Sequence, residues 1–301
     1  MSTIITQTLA RLLDPGLRKI NDDSMMMVPL EMSQFVNVST MDEPYFTDYK
    51  LAGLGLLPIK PEGQAVTYDS PIPGTTKRYD PIAYGMGFRS THEAVRDERY
   101  GQLKKLSAML GRAVQQSVNI LGSSAFNNAF STSFVGFNAG ESLCSTSHAL
   151  LGGGTYANRP ATNTALSVSG LQAAVIRMEK TLSERGFNIP IKPRVLVIPV
   201  DLLYVAKEIL KSEKIPYSVE NTYNAIKDSG FGFKEWHFLT SATAWFLLGP
   251  DHDINMFWRE KPSFASGDDF DTGDAKHKVY LSVTTSQFGD WKGIDGNDGT
   301  V

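Results

Sequence analysis

The sequence is short of the residues on which most catalytic chemistry is built. It has one cysteine, Cys144, so no intramolecular disulfide can form, and its five histidines are scattered. A single thiol fits synthesis in a reducing compartment. Basic charge is not in excess: the formal net charge is −3, whereas a protein that grips nucleic acid shows a basic footprint. No uninterrupted run of about 18 apolar residues occurs, so no helical membrane span and no membrane partner are expected. Met1 to Thr6 lack the basic and apolar parts of a signal peptide. What is present is a globular composition, 42% hydrophobic and 20% charged, enough to bury a core.

Intact catalytic motifs are also missing. Gly85-Met86-Gly87-Phe88-Arg89-Ser90 begins like a dinucleotide loop, but Ser90 replaces the last glycine. His92-Glu93-Ala94-Val95-Arg96 puts Arg96 where a zinc-protease helix needs its second histidine. Gly140-Glu141-Ser142-Leu143-Cys144 starts like a nucleophile elbow and ends on the wrong residue. Cys144 and His148 are close enough in sequence for a thiolate pair, although a buried thiol and a backbone-bonded histidine explain them more simply. Asp268, Asp269, Asp271 and Asp274 crowd one loop with oxygen ligands, but do not fit the helix–loop–helix calcium pattern, which needs a glycine in the middle and a glutamate at the end. They read as a solvated acidic turn, as does His252 between Asp251 and Asp253. No catalytic, cofactor-binding or metal-binding residue is therefore assigned, no cofactor is expected, and the chain is not expected to be an enzyme.

The first 85 or so residues alternate short apolar pieces (Leu9 to Leu13, Met25 to Val28) with breakers such as Asp14-Pro15-Gly16 and Glu43-Pro44. Prolines crowd from Pro58 to Pro81, around a strand-like Gln64 to Ser70 and a returning partner, Thr76 to Tyr84. An extended arm followed by a protruding hairpin is expected, with too little continuous apolar surface for a core of its own. No proline occurs between Pro81 and Pro160. There, Ser90 and Glu93 have the form of a capping box, and Val95, Arg99, Leu103, Leu106, Leu110, Ala113, Ser117 and Leu121 make a helical stripe. A helix from Ser90 to about Ala125 would be roughly 50 Å long, unless Gly111 breaks it. A Ser/Asn/Gly-rich loop (127–164) precedes a second helix, capped by Ser167 or Ser169, striped by Leu171, Val175, Met178 and Leu182, and ended by Gly186. Strands are expected at Arg194 to Ile198, Glu235 to Leu239, Ala244 to Leu248, Ile254 to Arg259 and Lys278 to Thr285, with a helix from Asp201 to Ser212. The class is α+β.

Four places carry a family resemblance. Tyr84 to Phe88, leading to Glu93 and Asp97, is one; Leu143 to Leu150 followed by Gly152-Gly153 and Asn158 is another. Leu171 to Leu182, Arg194 to Pro199 and the Leu202-to-Leu210 helix make the third, and Phe288-Gly289-Asp290-Trp291-Lys292-Gly293-Ile294 the fourth, with Lys292 where an arginine is usual. In this order they resemble the tailed-phage major capsid proteins of the Hong Kong 97-type fold, closest to the Mu-like major head subunits. The resemblance covers about Leu51 to Gly299.

It implies a subunit that self-assembles, as hexamers and pentamers, into an icosahedral shell around a double-stranded DNA genome. The implied parts are an N-arm (1–50), an E-loop (51–84), a P-domain (85–160 and 254–301) with a spine helix at about 90–125, and an A-domain (161–253). The implied partners are further copies, a portal, a separate scaffolding protein, DNA at the inner face without sequence specificity, and, in some shells, a decoration protein. The chain would be made in the host cytoplasm and end in the virion capsid. Lys60 and Lys77 lie where some members crosslink, but no acceptor is evident and no crosslink is expected. The alternatives are an encapsulin-like nanocompartment shell, a sheath- or tail-type structural protein, and an α+β enzyme using Cys144 and His148.

Overall fold

The computed structural model describes residues 6–91, 100–216, 222–269 and 271–300. Its α-helices are α1 (Thr6–Met26), α2 (Tyr100–Asn127), α3 (Val168–Glu179) and α4 (Leu203–Lys211). Its strands are β1 (Asn37–Thr40), β2 (Phe46–Ala52), β3 (Ile72–Tyr79), β4 (Ile82–Ser90), β5 (His148–Ala149), β6 (Thr155–Tyr156), β7 (Val195–Ile198), β8 (Gly232–Glu235), β9 (Trp245–Leu248), β10 (Ile254–Asp268), β11 (Ala275–Val283), β12 (Gln287–Phe288) and β13 (Ile294–Asn297). The class is α+β, and the chain forms two compact units.

The first unit comprises Met1–Phe46, Tyr79–Gly122 and Met256–Ser286. Its strands run in the order β1-β10-β11-β4, with β10 and β11 a long antiparallel hairpin. Gly85 and Gly87, read as part of a degenerate phosphate loop, lie inside β4 opposite Tyr280 and Lys278. A Cβ on Gly87 would overlap the His277 carbonyl, so close strand approach explains this glycine. Ser90 is not a helix cap: it ends β4, paired with Ala275. Its expected partner Glu93, together with His92, Val95, Arg96 and Asp97, lies outside the described residues.

The helix after β4 is observed over the 28 residues from Tyr100 to Asn127, about 42 Å at 1.5 Å per residue. Its buried stripe is turned from the expected one. Leu103, Ser107, Leu110, Val114 and Val118 face inward, while Leu106 and Ser117 are exposed. The cause is polar burial. Ser107 Oγ donates to the Leu17 carbonyl at 2.8 Å, and Asn21 Nδ2 donates to the Ser107 carbonyl at 3.1 Å. Asn119 Nδ2 donates to the Pro29 carbonyl at 3.0 Å and its Oδ1 accepts from the Met32 amide. These contacts advance together along both segments, so α1 and the chain after it follow α2 in the same direction. The N-terminal arm, expected to be extended, is thus helical from Thr6 to Met26, straight through Pro15. Packing against α2 outweighs the amide hydrogen bond that Pro15 removes. Gly111 does not break α2; a Cβ there would overlap the Asn21 carbonyl, so it lets α1 approach.

The second unit comprises Thr47–Arg78, Ser123–Asn255 and Gln287–Val301. Its sheet has the order β13-β9-β7-β8, and β7 and β8 are parallel, joined through α4. The central strands β7 and β9 are continuous apolar runs because both of their faces are covered. Leu171, Ala174 and Met178 of α3 and Ala206, Ile209 and Leu210 of α4 bury against Leu196, Ile198 and Trp245. Ser167 caps α3, its hydroxyl accepting from the Gly170 amide at 3.1 Å. The helix ends at Glu179, earlier than expected, and Gly186 with φ 80° serves the following tight turn instead. The strand expected at Glu235 to Leu239 lies at Gly232–Glu235. In the hairpin, Gln64 to Ser70 is not a strand; β3 returns against β2, and the chain between them has no regular structure.

Candidate assembly surface

Residues 53–71, between β2 and β3, carry apolar side chains into solvent. Leu57 is 97% exposed and Ile59 95%, with Leu54, Leu56, Val66 and Tyr68 also exposed. Pro58, Pro61 and Pro71 deny this segment amide donors for a strand ladder. Its base is nevertheless tied down. Asp69 accepts from the Gly55 amide at 2.7 Å and the Ser70 amide at 2.8 Å, closing the loop on itself. Arg185 holds the same carboxylate at 2.8 Å and donates to the Ser70 carbonyl at 2.6 Å. The Gly55 amide first, then Ser70 and Arg185, hold the Asp69 carboxyl below its ordinary range.

The neighbouring residue secures the other leg. Glu184 pairs with Lys50 of β2 at 3.0 Å and with Lys292, and accepts from the Leu151 amide at 3.1 Å. Lys292 also pairs with Asp290 at 2.6 Å. Burial pushes the Glu184 carboxyl up, but Lys292 and Lys50 outweigh it and leave it below its ordinary range. On β3, Thr75 Oγ1 donates to the Phe137 carbonyl at 2.6 Å and Lys77 Nζ to the Val135 carbonyl at 2.7 Å. One turn, Ser183 to Phe187, therefore clamps both legs of the hairpin. Asp69, Glu184 and Arg185 carry no signal in the sequence, because ion pairs between residues more than 100 positions apart have no local pattern.

Two of the motif segments meet behind this clamp. His148 stacks on Trp291, ring centroids 4.5 Å apart, and Tyr156 stacks on Trp291 at 5.0 Å. Asn158 Nδ2 donates to the carbonyls of Leu143 and Ile294, so its Oδ1 faces His148 Nε2 at 2.8 Å and accepts the ring proton. His148 Nδ1 lies 3.1 Å from Glu141. Burial draws His148 below its ordinary value although both of these contacts favour its charged form. The histidine, asparagine and tryptophan motifs thus knit the loop to the C-terminal segment. Beside them Arg177 grips Asp295 with two bonds of 2.6 Å, while burial pushes the Asp295 carboxyl up to about 7.

No nucleophilic pair is assembled. Cys144 is fully buried, and burial, followed by the nearby Asp295, raises its thiol well above the ordinary range. The acidic loop is the turn of the β10–β11 hairpin: Asp269 pairs with Lys276 at 2.5 Å and Asp274 with Arg89 at 2.6 Å. His252, expected in a surface turn, is buried. Among the described residues no group of three His, Cys, Asp or Glu side chains could hold a metal ion. Among them, too, no helix is long and apolar enough to cross a membrane.

Several solved structures share the fold. The procapsid of bacteriophage JBD30 has a chain 14% identical, with TM-score 0.56, matching 99% of this chain and 77% of that one. A chain of Mycobacterium phage Patience is 10% identical, with TM-score 0.54 over 97% and 88%. The virus-like particle from Pyrococcus furiosus is 10% identical, with TM-score 0.53 over 94% and 98%. A search of curated proteins finds no match. The profile of the family described as phage capsid protein matches residues 74–294, well over half of the sequence. With its helices and sheets arranged in the Hong Kong 97-type fold, the chain belongs to the phage capsid protein family, as a major capsid protein.

Proposed function

We propose that copies of this chain assemble, as hexamers and pentamers, into the closed icosahedral head of a tailed phage around its double-stranded DNA. The observation that carries this reading is the loop at 53–71, which holds apolar side chains in solvent on a base fixed by Asp69, Arg185, Glu184 and Lys50. Burying Leu57 and Ile59 against another copy would contribute about 1.5–3 kcal/mol each. Contacts of that size hold a shell because closed symmetry repeats them at every subunit. Residues 1–50 would act as the N-arm, 51–84 as the E-loop, 85–160 and 254–301 as the P-domain with α2 its spine helix, and 161–253 as the A-domain.

The loop with His148 and Asn158 and the closing Trp291 motif support a place in the Mu-like head subunit group. The role is structural and not enzymatic: the Cys144 thiol is buried and His148 is occupied by Glu141 and Asn158. The partners would be a portal, a separate scaffolding protein, DNA without sequence preference and, in some shells, a decoration protein. Synthesis would be in the host cytoplasm. Lys77 is turned to the Val135 carbonyl, and no acceptor is evident for it or for Lys60, so no crosslink is expected; boiled particles should give a single band on a denaturing gel.

Replacing residues 60–67 by a short Gly-Ser link tests the reading. The variant should fold with an unchanged circular dichroism spectrum and fail to form shells in negative stain. Normal shells from it would remove the role given to the loop.

A further inference from the structure

The turned stripe of α2 leaves an outward face with an unusual composition. From Tyr100 to Asn127 the helix contains Lys104, Lys105 and Arg112 and no aspartate or glutamate. At 100° per residue, Lys105, Leu106, Met109, Arg112, Gln116 and Ile120 share one side, and all six are exposed. Met109 is 61% exposed and Ile120 58%. The opposite side is taken by the buried stripe and by the Ser107 bonds to α1, while Asn119, bonded to the Pro29 carbonyl, borders the face beside Arg112. The face is thus an apolar row flanked on one side by cations.

We infer that this face of α2 docks an acidic amphipathic helix of a second protein, the apolar row of that helix meeting Leu106, Met109 and Ile120 and its carboxylates meeting Lys105 and Arg112. The chain's own helices do not complement the face. α3 and α4 carry one carboxylate each, Glu179 and Glu208, and the three aspartates of α1 are balanced by Arg11, Arg18 and Lys19. A DNA backbone would use the cations but gain nothing from a row of apolar side chains at the centre of the face. Helix-in-groove recognition uses both, through anchors three and four residues apart. The inference rests on the shell-subunit reading only in that a separate scaffolding protein is the partner that would supply such a helix.

The test uses the full chain and a synthetic fluorescent peptide of about 21 residues, roughly 30 Å as a helix, with leucines every third or fourth residue flanked by glutamates. Controls are the same peptide with lysines for glutamates, and a fluorescent DNA duplex of similar length. Anisotropy should show binding of the acidic peptide alone, weakened about tenfold or more by Met109→Glu and again by Arg112→Glu. Both positions are exposed, so unchanged thermal unfolding should confirm that the variants fold. Equal binding of both peptides, insensitivity to the two substitutions, or duplex binding lost with Arg112→Glu would each overturn the inference. If purified wild-type chain forms shells yet ignores the acidic peptide, the docking face is wrong and the shell reading stands. If it binds the peptide but forms no shells under any assembly condition, the docking face stands and the shell reading is wrong.

Discussion

Removing the Glu184 carboxylate should be among the most damaging single changes in the second unit. Its side chain is 7% exposed and sits between Lys50, 4% exposed, and Lys292, 15% exposed. Glu184→Ala leaves two ammonium groups without their shared counter-charge, and the Leu151 amide without its acceptor. Breaking a buried ion pair by deleting one partner costs about 3–5 kcal/mol. Lys292 retains Asp290, which offsets part of the loss, so a destabilisation of about 3–4 kcal/mol is expected, a factor of several hundred in the folding equilibrium. Lys50→Met should cost less, about 1–2 kcal/mol, because Glu184 keeps Lys292. The double variant Glu184→Ala, Lys50→Met should be less destabilised than the sum of the two, since the buried lysine is gone. Urea unfolding of unassembled subunits, followed by tryptophan fluorescence, measures all three. A change within about 0.5 kcal/mol for Glu184→Ala would refute the clamp, since that is the range of an ordinary surface substitution.

The other consequences are smaller in reach. Glu184 has its folded pKa below the unfolded value of 4.5, so its stabilisation is complete above that pH and fades as pH falls through the folded value. The stability gap between wild type and Glu184→Gln should therefore close below pH 4.5; a gap that widens in acid would contradict the assignment. Asp69→Ala should loosen the loop at 53–71, and chymotrypsin should cut after Tyr68 or Leu57 several-fold faster than in wild type, whereas an unchanged rate would mean the Gly55 and Arg185 bonds do not hold it. Cys144 should react with a thiol reagent only on unfolding, and Cys144→Ala should leave assembly intact; rapid labelling of the native chain would contradict its burial.

The legible parts of the sequence were those where periodicity and burial coincide. Leu171, Val175 and Met178 of α3 and the run Val195 to Ile198 pack as their patterns predict, because the apolar partners come from a continuous core. The stripe of α2 departs from its pattern where buried polar groups replace apolar ones. Ser107 and Asn119 look solvated in a one-dimensional pattern, yet the N-terminal segment brings them carbonyls of Leu17 and Pro29 from about 90 residues away. The same contact hid the helix in the arm, where Pro15 argues locally against it. At the assembly surface the need for partners was visible in apolar residues broken by prolines. The fixed base was not, since Asp69 meets Arg185 and Lys50 meets Glu184 only through the tertiary fold. His148 and Trp291 stood out as separate motifs, and only their stacking gives a reason for both.

The central claim is that the loop at 53–71 joins one subunit to the next. Electron cryomicroscopy of particles formed by the purified chain, with side chains resolved, tests it most directly. Leu54, Leu57, Ile59 and Tyr68 should be buried against a neighbouring copy, with the Asp69–Arg185 pair intact at the base. Shells in which these four side chains remain in solvent, or a chain that forms no shells under any assembly condition, would contradict it.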